Sequence, residues 1–86
     1  ETFSLKALAE AVILNYRLTA RLEELSLSLE VEDSGPYMIR GDKHHVKRIL
    51  SNLISNALKF TPHGGSVVIA LRKDPLNGRC VAEVRD

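Results

Sequence analysis

Apolar positions at the start of the chain recur at helical spacing. Leu5, Leu8, Ala9, Val12, Tyr16 and Ala20 share one side, which predicts an amphipathic helix running to about Leu22 with Asn15, Arg17 and Arg21 turned to solvent. Ser4 is a suitable N-cap, and Phe3 before it can pack on Leu8 as a hydrophobic staple. From Leu25 the period drops to two: Leu25, Leu27, Leu29 and Val31 alternate with Ser26, Ser28, Glu30 and Glu32, the pattern of a strand with one buried face. The turn cluster Asp33-Ser34-Gly35-Pro36 leads to a short second strand, Tyr37–Arg40, ended by Gly41. A second helix spans about 42–60, with Asp42 as N-cap and Val46, Ile49, Leu50, Leu53 and Ala57 expected to face the sheet. Thr61-Pro62 stops it and Gly64-Gly65 frees the exit. Val67–Leu71 and Cys80–Val84 read as the two strands of a hairpin, joined by a polar reversal containing Asn77-Gly78.

The order helix-strand-strand-helix-strand-strand implies an α+β fold, a two-layer sandwich with helices on one face of a mixed, largely antiparallel sheet. At 86 residues the chain is one domain or part of one, without internal repeats. With 44% hydrophobic and 27% charged residues it has the makings of a core, which argues against disorder. A net charge of +1 gives no overall attraction to nucleic acid or an anionic membrane, and no apolar run is long enough to span a bilayer. The single cysteine, Cys80, excludes an internal disulfide and fits a reducing compartment.

The chemistry concentrates in the second helix. Asn52, Asn56 and Lys59 lie four and three residues apart, so they stack on one helical face at about 5.4 Å per turn. Amide oxygens can ligate a hard cation and an ammonium can offset phosphate charge, so this ladder suits a magnesium-bound polyphosphate. Lys43-His44-His45-Val46-Lys47-Arg48 is basic but wraps round the helix start with no interleaved aromatic, so a solvated face is expected rather than a nucleic-acid patch. His44-His45 lacks the spacing and cysteine partners of a zinc site, and His63 beside Gly64-Gly65 is expected in an exposed turn.

Gly41-Asp42, Ile49-Leu50 and the run Asn52–Pro62 resemble the N-box and its lead-in in the catalytic, ATP-binding domain of two-component sensor histidine kinases. Val84-Arg85-Asp86 resembles the start of that family's next motif, where an aspartate precedes a glycine-rich turn. Phe3-Ser4-Leu5 and its helix resemble the segment that follows the dimerisation hairpin. The resemblance implies an ATP and Mg2+ site in which Asn56 ligates the metal, Asn52 neighbours the phosphates, Lys59 contacts them, Phe60 forms pocket wall and Asp86 accepts from the adenine amino group. In the wider superfamily of gyrases, heat-shock protein 90 chaperones and mismatch-repair ATPases, a glutamate one turn before the metal-binding asparagine activates water. Asn52 stands there and cannot act as a base, which favours transfer of phosphate to a histidine over hydrolysis. The family commonly has arginine at the place of His45 and glutamine at that of Arg48; both are expected to be solvated, although Arg48 shares roughly the face of Asn52.

The resemblance further implies that residues 1–86 are the N-terminal half of the domain, with no catalytic residue among them, and that the parent is a cytoplasmic or membrane-anchored kinase. Its partners would be its own histidine-containing dimerisation domain and a response regulator. Alone, the segment is expected neither to autophosphorylate nor to hold ATP tightly, and a cut sheet is expected to expose the Cys80–Val84 strand to self-association. Two other classes remain open: an ATPase or chaperone-like member of the superfamily, and an interaction module that kept the fold without the chemistry.

Overall fold

Ser4 and Asp42 begin the two long helices, each with a side-chain oxygen taking up backbone N–H groups that the first turn leaves free. In the computed structural model, which describes residues 1–85, the elements are β1 (Thr2–Ser4), α1 (Leu5–Leu22), β2 (Ser26–Val31), β3 (Met38–Arg40), α2 (Lys43–Phe60), β4 (Ser66–Lys73) and β5 (Cys80–Arg85). The Ser4 hydroxyl accepts from Ala7 N–H at 3.1 Å, and Asp42 Oδ1 accepts from His44 and His45 N–H at 3.0 and 3.2 Å. Those donors hold the Asp42 carboxyl below its ordinary range, the His45 N–H contributing most. α1 ends at Leu22, and two residues on Glu24 takes a left-handed φ of 56°, which lets Leu25 N–H return to Ala20 O at 2.8 Å.

β4 is the centre of a three-stranded sheet, parallel to β2 (Ser26 opposite Ser66) and antiparallel to β5 (Leu71 opposite Ala82). β1 and β3 form a separate antiparallel pair, with Phe3 opposite Ile39. The fold is thus α+β with mixed, mostly antiparallel pairing, as the patterning implies. β1 is an addition: its three residues are too few to show a period, and its partner lies far along the chain. The second strand also starts one residue later than expected, since Tyr37 turns inward as a core side chain.

Both helices cover one face of the sheet. Val67, Ile69 and Leu71 of β4 pack with Leu27 of β2, with Val12 and Ile13 of α1 and with Ile54 and Leu58 of α2, all buried. Phe3 and Leu8 are buried in the same cluster, in keeping with the staple, and Cys80 is half-buried against it. The Tyr37 hydroxyl accepts from Asp33 N–H at 3.1 Å and donates to Leu71 O at 3.3 Å, joining the turn after β2 to β4. Asp33 in turn accepts from Lys73 N–H at 2.6 Å, and Lys73 Nζ lies 5.1 Å from the Tyr37 ring centroid.

The outer face of the sheet is roofed by charge. Arg72 donates to Glu83 at 2.7 Å, while Arg85 reaches Glu30, Glu32 and Glu83 at 3.3, 3.2 and 3.6 Å. Ala70, set between Glu30 and Glu83 in the register, is fully buried beneath these side chains. The Arg72 hydrogen bond draws the Glu83 carboxyl below its ordinary range and raises Arg72 in return. No helix among the described residues is long and apolar enough to cross a membrane.

Candidate functional site

α2 buries Leu50, Ile54, Ala57 and Leu58 in the core it shares with α1 and the sheet, with Val46 partly covered. The expectation that Ile49 and Leu53 also pack inward is overturned: they are 46% and 41% exposed. At about 100° per residue the apolar side chains from Val46 to Leu58 span roughly half the helix circumference, more than one sheet contact covers. The structure settles on the Leu50–Ile54–Leu58 side and leaves the Ile49–Leu53 border open.

That border adjoins the asparagines. Asn52 and Asn56 are both exposed, about 6 Å apart along the axis. The Ser55 hydroxyl donates to the Asn52 backbone carbonyl at 3.3 Å, and neither side-chain amide has a hydrogen-bond partner among the described residues. Lys59 and Phe60 follow at the exposed C-terminal end, the Lys59 ammonium lying 5.4 Å from the Phe60 ring centroid. Helical geometry orders this face into three strips: the cations Arg48 and Lys59, the amides in the middle, and Ile49, Leu53 and Phe60 beyond them. His45 is exposed at the N-terminal end of the amide row.

The structure therefore brings Asn52, Asn56, Lys59 and Phe60 together on one exposed surface. The fifth expected residue, Asp86, lies outside the described residues. The apolar strip is what sequence reasoning missed. Its signal was the breadth of the apolar arc on α2, too wide for every member to be core.

A cleft of about 320 Å3 lies to one side, between the C-terminal turns of α1 and α2, lined by Tyr16, Thr19, Ser55, Leu58, Lys59 and His63. It shares Lys59 with the ladder but includes neither asparagine, so the two surfaces are distinct. His63 is exposed, as expected, and its Nε2 is 2.9 Å from a Glu23 carboxylate oxygen, fastening the loop after α2 to the end of α1.

The open amides fit a hard divalent cation, for which neutral oxygens are good ligands. No group of three His, Cys, Asp or Glu among the described residues is placed to hold a metal by itself. A cation on the ladder would take most of its ligands from water and from a phosphate-bearing ligand.

Residues 41–86, which include the whole of α2, match the family described as histidine kinase-, DNA gyrase B- and HSP90-like ATPases. The chain is 35% identical over 83 residues to the sensory/regulatory protein RpfC of Xanthomonas campestris pv. campestris, covering 96% of this chain and 11% of that protein. It is 31% identical over 87 residues to the circadian input-output histidine kinase CikA of Synechocystis, covering 100% of this chain and 11% of that one. The chain thus spans about a tenth of the length of these curated relatives. Among solved structures, the catalytic domain of histidine kinase ThkA superposes with a TM-score of 0.80 at 23% identity, over 87% of this chain and 51% of that one. ThkA in complex with the response regulator protein TrrA gives 0.77 at 21% identity, over 87% and 22%. At such identity the structural likeness bears on fold alone, but the family match rests on sequence over more than half of the chain. With the family match over residues 41–86 and the identity to these relatives along nearly its whole length, this chain belongs to the histidine kinase-, DNA gyrase B- and HSP90-like ATPase family.

Proposed function

We propose that this chain is the N-terminal part of the ATP-binding domain of a sensor histidine kinase, which passes the γ-phosphoryl group of ATP to a histidine in a two-component relay. The observation that carries the reading is the pair of exposed amides, Asn52 and Asn56, free of protein partners and backed by Lys59. Asn56 ligates Mg2+, Asn52 borders the phosphates and metal shell, and Lys59 neutralises phosphate oxygens. Bound Mg2+ supplies charge compensation at the polyphosphate. Phe60, with Ile49 and Leu53, gives the nucleotide an apolar wall, and Asp86 accepts from the purine amino group. The amide at position 52 cannot deprotonate water, which supports transfer over hydrolysis. The kinase acts on its own histidine-bearing dimerisation domain and hands the phosphate to a response regulator in the cytoplasm.

The test uses the longer protein that carries this segment. With γ-labelled ATP and Mg2+, label is expected on protein as acid-labile phosphohistidine. Asn56→Ala should cut labelling by at least about a hundredfold, while the far-UV spectrum stays unchanged because the side chain is exposed and has no hydrogen-bond partner among the described residues. Steady phosphate release without phosphohistidine would instead establish the ATPase reading.

A further inference from the structure

The core face of α1 is not its only apolar face. On the opposite side Ala7, Ala11, Leu14, Leu18 and Leu22 follow one another at spacings of four, three, four and four, and all five are exposed. The leucines stand 71%, 66% and 73% open to solvent, more than any apolar side chain of α2 except Phe60. Residues at such spacing form one continuous stripe, here pointing straight away from the sheet. A contiguous exposed apolar stripe marks a contact surface more often than chance. A cleft beside it runs towards the edge of β2, with Ile13, Leu14, Leu29 and Val31 in its lining alongside the charged Lys6, Glu10 and Arg17.

We propose that this stripe is self-complementary and joins two copies of the chain, α1 against α1, antiparallel about a two-fold axis at Leu14. Two features of the stripe select a second copy. The first is its gradient of size, with alanines in the N-terminal half and leucines in the C-terminal half. An antiparallel dyad at Leu14 sets Leu18, four residues after it, over Ala11 of the second copy, three residues before it. Leu22 and Ala7 meet in the same way at the ends. Leu18 and Leu22 then each meet an alanine, which allows close helix packing on either side of the axis. Leu14 meets its own copy at the dyad, and the contact is isologous.

The second feature is charge. Glu10 and Arg17 flank the same border of the stripe, four residues before Leu14 and three after it. The dyad brings Glu10 of each copy beside Arg17 of the other. Arg17 is already steadied by donating to Leu27 O at 3.0 Å, with further N–H groups free for a carboxylate. Lys6 and Arg21 meet only at the outer ends, where both reach water. An anionic bilayer is a poorer occupant, since two of the five stripe residues are alanine and no aromatic anchors it. α1 is about 27 Å long, so the pairing buries less than the roughly 800 Å2 per partner of a standard interface. The dimer is therefore weak, with Kd on the order of 100 µM.

Sedimentation equilibrium of the 86-residue chain tests this, with far-UV circular dichroism to verify that each variant folds. The unaltered chain should show a monomer–dimer equilibrium, and Leu18→Glu should abolish it. Ala11→Leu adds apolar surface yet should weaken pairing by about tenfold, because it meets Leu18 of the second copy. Combining Ala11→Leu with Leu18→Ala should restore pairing to within about threefold, since it only exchanges the large and small members of the 11/18 pair. In a Cys80→Ser background Leu14→Cys should cross-link to itself on oxidation, whereas Leu22→Cys should not. A monomer at all concentrations overturns the proposal. So does association that survives Leu18→Glu, which would locate the contact elsewhere, for example on the edge of β5. Association strengthened by Ala11→Leu, or a chain that stays monomeric but sediments with anionic vesicles, would overturn it as well.

Discussion

Tyr37→Phe removes one oxygen atom and with it the link between the turn after β2 and the central strand. The hydroxyl is buried and makes two hydrogen bonds, 3.1 Å from Asp33 N and 3.3 Å from Leu71 O, both on the long side. Leu71 O keeps a partner, because Glu32 N–H donates to it at 2.8 Å. Asp33 N–H keeps none among the described residues. The ring remains packed and still lies beneath Lys73 Nζ, so almost the whole effect is the hydrogen-bonding difference. One modest bond lost with its acceptor still satisfied, plus one partly buried donor stranded, amounts to about 1–2 kcal/mol. For a domain of this size about 1 kcal/mol moves Tm by roughly 4–8 °C, so a fall of about 5–15 °C is expected. The measurement is thermal unfolding by circular dichroism at one fixed protein concentration, compared with the unaltered chain. A change below about 2 °C would mean that water replaces the hydroxyl without loss, and the link would then have no energetic role.

Two further outcomes follow from local geometry. At Gly65 a β-carbon would stand 2.7 Å from Thr61 Cγ2 and 3.0 Å from Pro62 O, and Thr61 is itself held by its hydroxyl bond to Ala57 O at 2.7 Å. Gly65→Ala should therefore destabilise by about 1–3 kcal/mol in urea unfolding, and an unchanged midpoint would show that the exit from α2 yields freely. The second outcome concerns pH. Glu83 and Asp42 are both held below their ordinary carboxyl range, by Arg72 and by the His45 N–H respectively. Their stabilisation is complete above the unfolded carboxyl values near pH 4 and is lost as pH falls through the lower folded values. Denaturant midpoints should be flat from about pH 7 to 5 and drop below about 4, with a shallower drop in Glu83→Gln; an equal slope in that variant would refute the assignment.

The ends of both helices were legible because caps are local: Ser4 and Asp42 announce α1 and α2 within a few residues of the contacts they make. That Asn52, Asn56 and Lys59 would share one face of α2 was legible for the same reason, since it rests on spacing within one helix. What lay hidden depends on distant partners. Thr2–Ser4 has no pattern of its own and becomes a strand only against β3. Alternation in β2 disclosed a buried face but not that its neighbour would be β4, running parallel. The apolar arc on α2 was visible, yet which of its borders the sheet would leave bare depends on where α1 already sits. The leucines at 14, 18 and 22 were unremarked beside the stronger core pattern on the other face of α1.

The parallel pairing of β2 with β4 bears on how the chain reaches its native state. β4 and β5 are joined by a six-residue reversal and can zip together in microseconds, whereas Ser26 meets Ser66 only after forty residues have closed on themselves. One side of Val67–Leu71 thus waits unpaired until α2 has docked and brought β2 alongside. During that interval the most apolar strand of the protein is a ready template for misassembly, and the speed with which α2 forms sets how long the hazard lasts.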